Sequence, residues 1–98
     1  MNMLEIRPIC ENCAKPLPND SNEAMICTYE CTFCKECVNQ ILENVCPNCG
    51  GGFENRPTRP NILLTKDPAT TKEHYKPIDK DAFKIKLDKY KNTEPRNR

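Results

Sequence analysis

Cys27-Thr28-Tyr29-Glu30-Cys31-Thr32-Phe33-Cys34-Lys35-Glu36-Cys37, residues 27–37, places four cysteines in eleven positions. Outward from this stretch the theme continues, with Cys10-x2-Cys13 upstream and Cys46-x2-Cys49 downstream. The eight cysteines of the chain therefore form four close pairs, all between Cys10 and Cys49. Two or three residues between paired cysteines let the backbone curl until both sulfurs meet one ion at ~2.3 Å. Four pairs make two four-thiolate sites, the coordination that structural zinc favours. A segment of about 50 residues buries too little surface to hold itself together and needs such a staple.

The spacing leaves the pairing open. Sequential pairing joins Cys10 and Cys13 with Cys27 and Cys31, then Cys34 and Cys37 with Cys46 and Cys49. Crossed pairing joins Cys10 and Cys13 with Cys34 and Cys37, then Cys27 and Cys31 with Cys46 and Cys49. A nested arrangement of Cys27, Cys31, Cys34 and Cys37 is sterically cramped. Metal is expected rather than disulfides. The N-terminus lacks the apolar run and small-residue cleavage site of a signal peptide. No stretch approaches the roughly 20 apolar residues of a membrane span. A cytoplasmic location follows, where thiols stay reduced, and the expected cofactor is Zn2+, two per chain.

Charge divides the chain. Residues 1–50 carry three basic and seven acidic residues, net −4, and residues 51–98 carry twelve basic and seven acidic, net +5. Two zinc–thiolate sites take the head to about −8, since each adds −2. Such a head repels phosphate, so any nucleic-acid contact falls to the tail.

Residues 1–9 read as extended, and residues 14–22 as turns, rich in Pro, Asn, Asp and Ser. Ala24-Met25-Ile26 reads as a strand pairing with a return strand after Cys31. Over residues 35–45, Val38, Ile41, Leu42 and Val45 recur at helical spacing, which predicts a helix ended by Pro47. Gly50-Gly51-Gly52 suits a tight turn around the last knuckle, and Phe53 is the last residue placed against the head. The expected architecture is a small zinc-stabilised α+β domain over residues 1–55 with an extended, partly disordered tail over 56–98. Arg56-Pro57-Thr58-Arg59-Pro60 reads as a linker, and Ile62-Leu63-Leu64 as a segment able to fold back. In residues 79–90, Phe83, Leu87 and Tyr90 fit a helical face capped by Asp79, while Phe83, Ile85 and Leu87 fit alternation. Residues 91–98 read as disordered.

The order of the pairs, with Cys31-Thr32-Phe33-Cys34-Lys35-Glu36-Cys37 and the closing Cys46-Pro47-Asn48-Cys49, resembles a RING finger in which Cys31 stands where histidine is usual. The resemblance implies a RING-like cross-brace with crossed ligation. Site one is then Cys10, Cys13, Cys34 and Cys37, and site two is Cys27, Cys31, Cys46 and Cys49, with Phe33 packed between them. More of the chain resembles a bacterial family of short cysteine-rich proteins of unknown function. That resemblance rests on Met3-Leu4-Glu5-Ile6-Arg7-Pro8, on Cys46-Pro47-Asn48-Cys49-Gly50-Gly51 and on Asp67-Pro68-Ala69-Thr70-Thr71-Lys72. It implies a bacterial source and supplies no activity.

Closed four-thiolate sites leave no open coordination position, so no enzyme is expected at the metals. The single histidine, His74, lies in the tail, and no Ser/His/Asp set can be assembled. The leading expectation is a monomeric zinc-binding interaction module whose partner is another protein. A ubiquitin-ligase-like adaptor is weakened by Glu11 and Gly50, where ligase RINGs carry aliphatic and basic residues. Nucleic-acid binding would use Lys80, Lys84, Lys86, Lys89 and Lys91 with Phe83 and Tyr90, but Asp79, Asp81 and Asp88 interrupt the run. Zinc storage, zinc sensing and thiol redox are lesser alternatives. Structural zinc contributes roughly 10–16 kcal/mol of apparent binding energy per site, against the ~3–5 kcal/mol of a core this small. Chelation is therefore expected to unfold the head, read as lost far-UV dichroism and collapsed amide dispersion; native spectra after metal removal would contradict this.

Overall fold

The computed structural model describes residues 4–98, so the first part of the extended opening, residues 1–3, lies outside the described residues. Strand β1 (Ala24–Ile26) pairs antiparallel with β2 (Thr32–Cys34), with Ala24 opposite Cys34 and Ile26 opposite Thr32. The turn between them closes by Cys27 N–H to Cys31 O at 3.3 Å and Glu30 N–H to Cys27 O at 3.1 Å, with Glu30 at φ 64°. This is the hairpin expected around the second cysteine pair. A third strand, β3 (Glu54–Asn55), pairs with the other edge of β1, giving the order β2-β1-β3. Its two residues are both exposed, too short and too polar for alternation to announce a strand.

Helix α1 (Lys35–Cys37) starts directly from β2 and continues as a π-helical turn (Val38–Leu42). The apolar stripe packs inward as expected, with Val38, Leu42 and Val45 buried and Ile41 partly covered. The helix stops at Leu42, however, rather than running to residue 45. Glu43 and Asn44 adopt left-handed φ values of 48° and 61°, and both their N–H groups return to Val38 O. That closure caps two carbonyl lone pairs at once and turns the chain, so Val45 stays in the core while Cys46 points to the next cluster. Asn44 Oδ1 then accepts from Phe53 N–H at 2.9 Å.

The core gathers Phe33 and Phe53, edge to face at 5.5 Å, with Leu17, Val38, Leu42 and Val45. Leu17 comes from the turn-rich insert, held by Ile9–Pro16 bridging and by Leu17 N–H to Pro8 O at 2.8 Å. Ile6 is also buried.

The tail is drawn across the head. Arg56 is only 4% exposed, and its guanidinium donates to Arg7 O, Leu17 O and Pro18 O. Arg59 donates to Asp67 O and Leu4 O, which closes the intervening segment into a loop carrying helix α2 (Asn61–Leu64) outward. Ile62 and Leu63 are consequently 82% and 46% exposed, instead of folding back onto the head. Helix α3 (Lys80–Tyr90) realises the helical of the two readings. Asp79 caps it by accepting from Asp81 and Ala82 N–H groups. Phe83 enters the core, Leu87 and Tyr90 pack against it, and Lys86 Nζ donates to Pro47 O and Asn48 O. In residues 91–98, a 3-10 turn (Pro95–Asn97) leads to Arg98, whose guanidinium reaches Asn44 O and Gly50 O. Among the described residues no helix is long and apolar enough to cross a membrane.

Arg56→Met keeps the aliphatic stem but strands three carbonyls. It is expected to cost about 2–4 kcal/mol, read as a lowered urea midpoint of the metal-loaded protein. An unchanged midpoint would show that the guanidinium contributes nothing.

Candidate metal centre

Two of the four cysteine pairs lie on knuckles of the same backbone shape. At the first, Cys10 N–H donates to Lys15 O and Ala14 N–H to Cys10 O, with Ala14 at φ 63°. At the last, Cys46 N–H donates to Gly51 O and Gly50 N–H to Cys46 O, with Gly50 at φ 79°. The left-handed residue after the second cysteine curls each loop back on itself. Glycine suits the last knuckle for a second reason, because a Cβ at Gly50 would stand 2.7 Å from the Tyr90 ring. The other two pairs come from the hairpin turn (Cys27, Cys31) and from the β2–α1 junction (Cys34, Cys37).

The sulfurs of Cys10, Cys13, Cys34 and Cys37 all lie within 4.8 Å of one another. Cys10 Sγ is 3.9 Å from Cys37 Sγ, and Cys13 Sγ is 3.7 Å from Cys34 Sγ. A tetrahedron of thiolates at ~2.3 Å from a central ion has edges of about 3.8 Å. A disulfide needs ~2.05 Å, and all eight cysteines are free thiols. The sulfurs of Cys27, Cys31 and Cys46 form a second group within the same limit, all three buried. Cys49 Sγ is outside that group; it is half-buried and accepts from Gly51 N–H at 3.4 Å. The grouping is interleaved: the first pair sits with the third, and the second pair with Cys46. His74 is at neither cluster, its Nε2 lying 3.1 Å from Glu5 Oε1.

The family described as "Protein of unknown function (DUF1272)" matches residues 3–59, a span that includes both clusters. The chain belongs to that family. This bears out the resemblance to a family of cysteine-rich proteins of unknown function. An uncharacterised protein of Rhizobium meliloti (strain 1021) is 53% identical over 75 residues, covering 76% of this chain and 89% of the relative. The aligned stretch is longer than the family match, so it takes in part of the tail as well. No solved structure matches the chain.

The sequence reading of this DUF1272 protein missed two asparagines that serve the sulfurs. Asn12 Nδ2 donates to Cys37 Sγ at 3.4 Å, and Asn48 Nδ2 donates to Cys31 Sγ at 3.3 Å. Each stands just before the second cysteine of a knuckle, in Cys10-Glu11-Asn12-Cys13 and Cys46-Pro47-Asn48-Cys49. Each reaches a sulfur from the pair grouped with its own. The repeated C-x-N-C pattern was the available signal. Asn12 also ties the tail to cluster one, since its Oδ1 accepts from Ile78 N–H at 2.9 Å.

In each cluster one thiol is shifted down and others are shifted up. In the second, hydrogen bonds from Cys27 and Cys46 pull Cys31 down to about 2. The reciprocal bond to Cys31 raises Cys27 to about 11, and Cys46 is pushed up by both neighbours and by burial. In the first, burial pushes Cys37 and Cys34 up. Cys13 lies below its ordinary value: burial opposes this, but the Lys15 N–H and the neighbouring sulfurs outweigh it. Thiols must lose their protons as a metal binds. Metal affinity therefore falls as pH falls.

Removing an amide donor leaves a ligand sulfur less well held. Asn48→Ala is expected to weaken metal binding at the Cys31 cluster by ~10–100-fold, and Asn12→Ala to do the same at the Cys37 cluster. Competition titration against a chromophoric chelator measures both. Affinities equal to wild type would assign the asparagines no part in the sites.

Proposed function

We propose that this protein is a zinc-stapled interaction module: two zinc ions hold the head together, and the surface built on them receives another protein. Site one is Cys10, Cys13, Cys34 and Cys37. Site two is Cys27, Cys31 and Cys46, with Cys49 on the same knuckle as the fourth donor. The observation that carries the metal reading is the interleaved convergence of sulfurs at tetrahedral spacing. Thiolates in this number select zinc over hard cations such as Mg2+ and Ca2+. The sites serve structure, because their sulfurs are mostly buried.

The exposed apolar side chains support a role in protein contact. Ile62 and Leu63 sit together on α2, and Tyr29 stands exposed at the tip of the β1–β2 turn. Large apolar groups left in water at a loop apex are what a partner surface would cover.

Two other readings are weaker. A ligase-like adaptor needs Ile9, Glu11 and Pro47 open to a carrier enzyme. Glu11 is 8% exposed with Oε1 bonded to Asn48, its carbonyl accepts from Lys76 N–H, and Lys86 occupies Pro47 O. A nucleic-acid binder needs free lysines and open aromatic faces. Lys84 and Lys91 pair with Asp88, Lys86 is spent on carbonyls, and Phe83 is buried.

Native mass spectrometry of the purified protein is expected to show two zinc ions. Affinity capture with the intact chain is expected to retain a partner that the double variant Ile62→Lys, Leu63→Lys loses, with metal content and melting unchanged. Binding that instead disappears with ionic strength and follows the tail lysines would favour the nucleic-acid reading.

A further inference from the structure

The two clusters are not equivalent, and the difference lies at Cys49. In cluster one all four sulfurs converge, including that of Cys13, which is exposed yet 3.7 Å from Cys34 Sγ. In cluster two the three buried sulfurs lie within 4.8 Å of one another, and Cys49 Sγ is not within that limit of all three. Cys49 lies on the wall of an open cavity of about 1030 Å³, beside Thr28, Gly51 and Arg96. Its knuckle already has the hydrogen-bonded shape of the first one, so reaching cluster two demands no refolding of the loop.

Within cluster two, leaving is also inexpensive for Cys49, the one cysteine of the four that is not buried. Outside the group, its half-buried sulfur keeps the Gly51 N–H. A thiolate of Cys31 or Cys46 released from a metal would stay buried, and burying an uncompensated charge is costly. Gly51 adds room on the same side, since the nearest atom to a Cβ built there is Cys49 Sγ itself at 3.4 Å.

We propose that the second site is an exchangeable zinc site, whose fourth ligand, Cys49, is replaced by an incoming thiolate, whereas the first site is permanent. This rests on the reading that both clusters hold zinc. The acceptor or donor is a thiol: a small one such as glutathione, or cysteines on another polypeptide. Its thiolate binds the ion as the Cys49 sulfur leaves and takes up a proton, and the incoming thiol gives its own proton to solvent. No electron moves. The cavity in front of Cys49 is the path of entry, and Cys27, Cys31 and Cys46 hold the ion while the fourth ligand changes.

The test uses the full-length protein loaded with two zinc ions. A chromophoric chelator, 4-(2-pyridylazo)resorcinol, is expected to remove one equivalent at least about tenfold faster than the other, with excess glutathione accelerating the fast phase alone. Iodoacetamide should label Cys49 ahead of the other seven cysteines, including exposed Cys13, as located by peptide mass spectrometry. Cys49→Ser should hold its second ion within about tenfold of the wild-type affinity, while Cys46→Ser should lose that ion. Release of both ions in one phase, or equal losses in Cys49→Ser and Cys46→Ser, would overturn the exchangeable site and leave two structural zincs standing. A protein that takes up no zinc at all would overturn both readings together.

Discussion

Sulfur atoms from distant parts of the chain meet at two points, and those points are interleaved along it. Cys10 meets Cys37 and Cys13 meets Cys34, while the hairpin turn that carries Cys27 and Cys31 lies between them in sequence and joins Cys46 beyond them. Each cluster closes a loop that carries ligands of the other. Forming one therefore settles much of the loop entropy of the second, so the head behaves as one unit. Phe33, fully buried in β2, lies in sequence between Cys31 of one cluster and Cys34 of the other. The apolar core around it is small because the clusters take the place that side-chain packing holds in a larger domain.

A loop-rich head built this way has many backbone carbonyls and little sheet or helix to satisfy them. The basic tail answers that need. Arg56, Arg59, Lys86 and Arg98 aim their charged heads chiefly at main-chain oxygens: Leu17 O and Pro18 O, Leu4 O, Pro47 O and Asn48 O, Asn44 O and Gly50 O. A guanidinium presents several donors in a fixed fork and bridges carbonyls that no single strand could reach. Four of the twelve basic residues in the second half, whose excess of charge looks like a signature of nucleic-acid binding, serve this capping. Of the tail lysines that would contact phosphate, Lys86 is turned toward the protein, while Lys84 and Lys91 pair with Asp88.

The helix stop at Leu42 shows where pattern reading ends. Val38, Leu42 and Val45 were legible as a buried stripe, and all three are buried. The left-handed turn at Glu43 and Asn44 was not legible, because neither residue is glycine and the stripe continues past it. Leu17 and Ile6 escaped notice for a related reason: single apolar residues in irregular segments have no period to betray them. Arg56 escaped because a charged residue beside two prolines reads as a solvated linker. Its burial is decided by carbonyls nearly forty positions or more away.

From the order of residues alone came the four cysteine pairs, the β1–β2 hairpin, the inward face of the central helix and the Asp79 cap. Each rests on chemistry between near neighbours, whose spacing is fixed by the chain. The interleaved grouping of sulfurs, the place of Cys49 outside its cluster, the amide donors Asn12 and Asn48 and the wrapping of the tail belong to the tertiary structure. They depend on which distant segments approach, and backbone spacing says nothing about distance between segments until the whole chain has closed around its two centres.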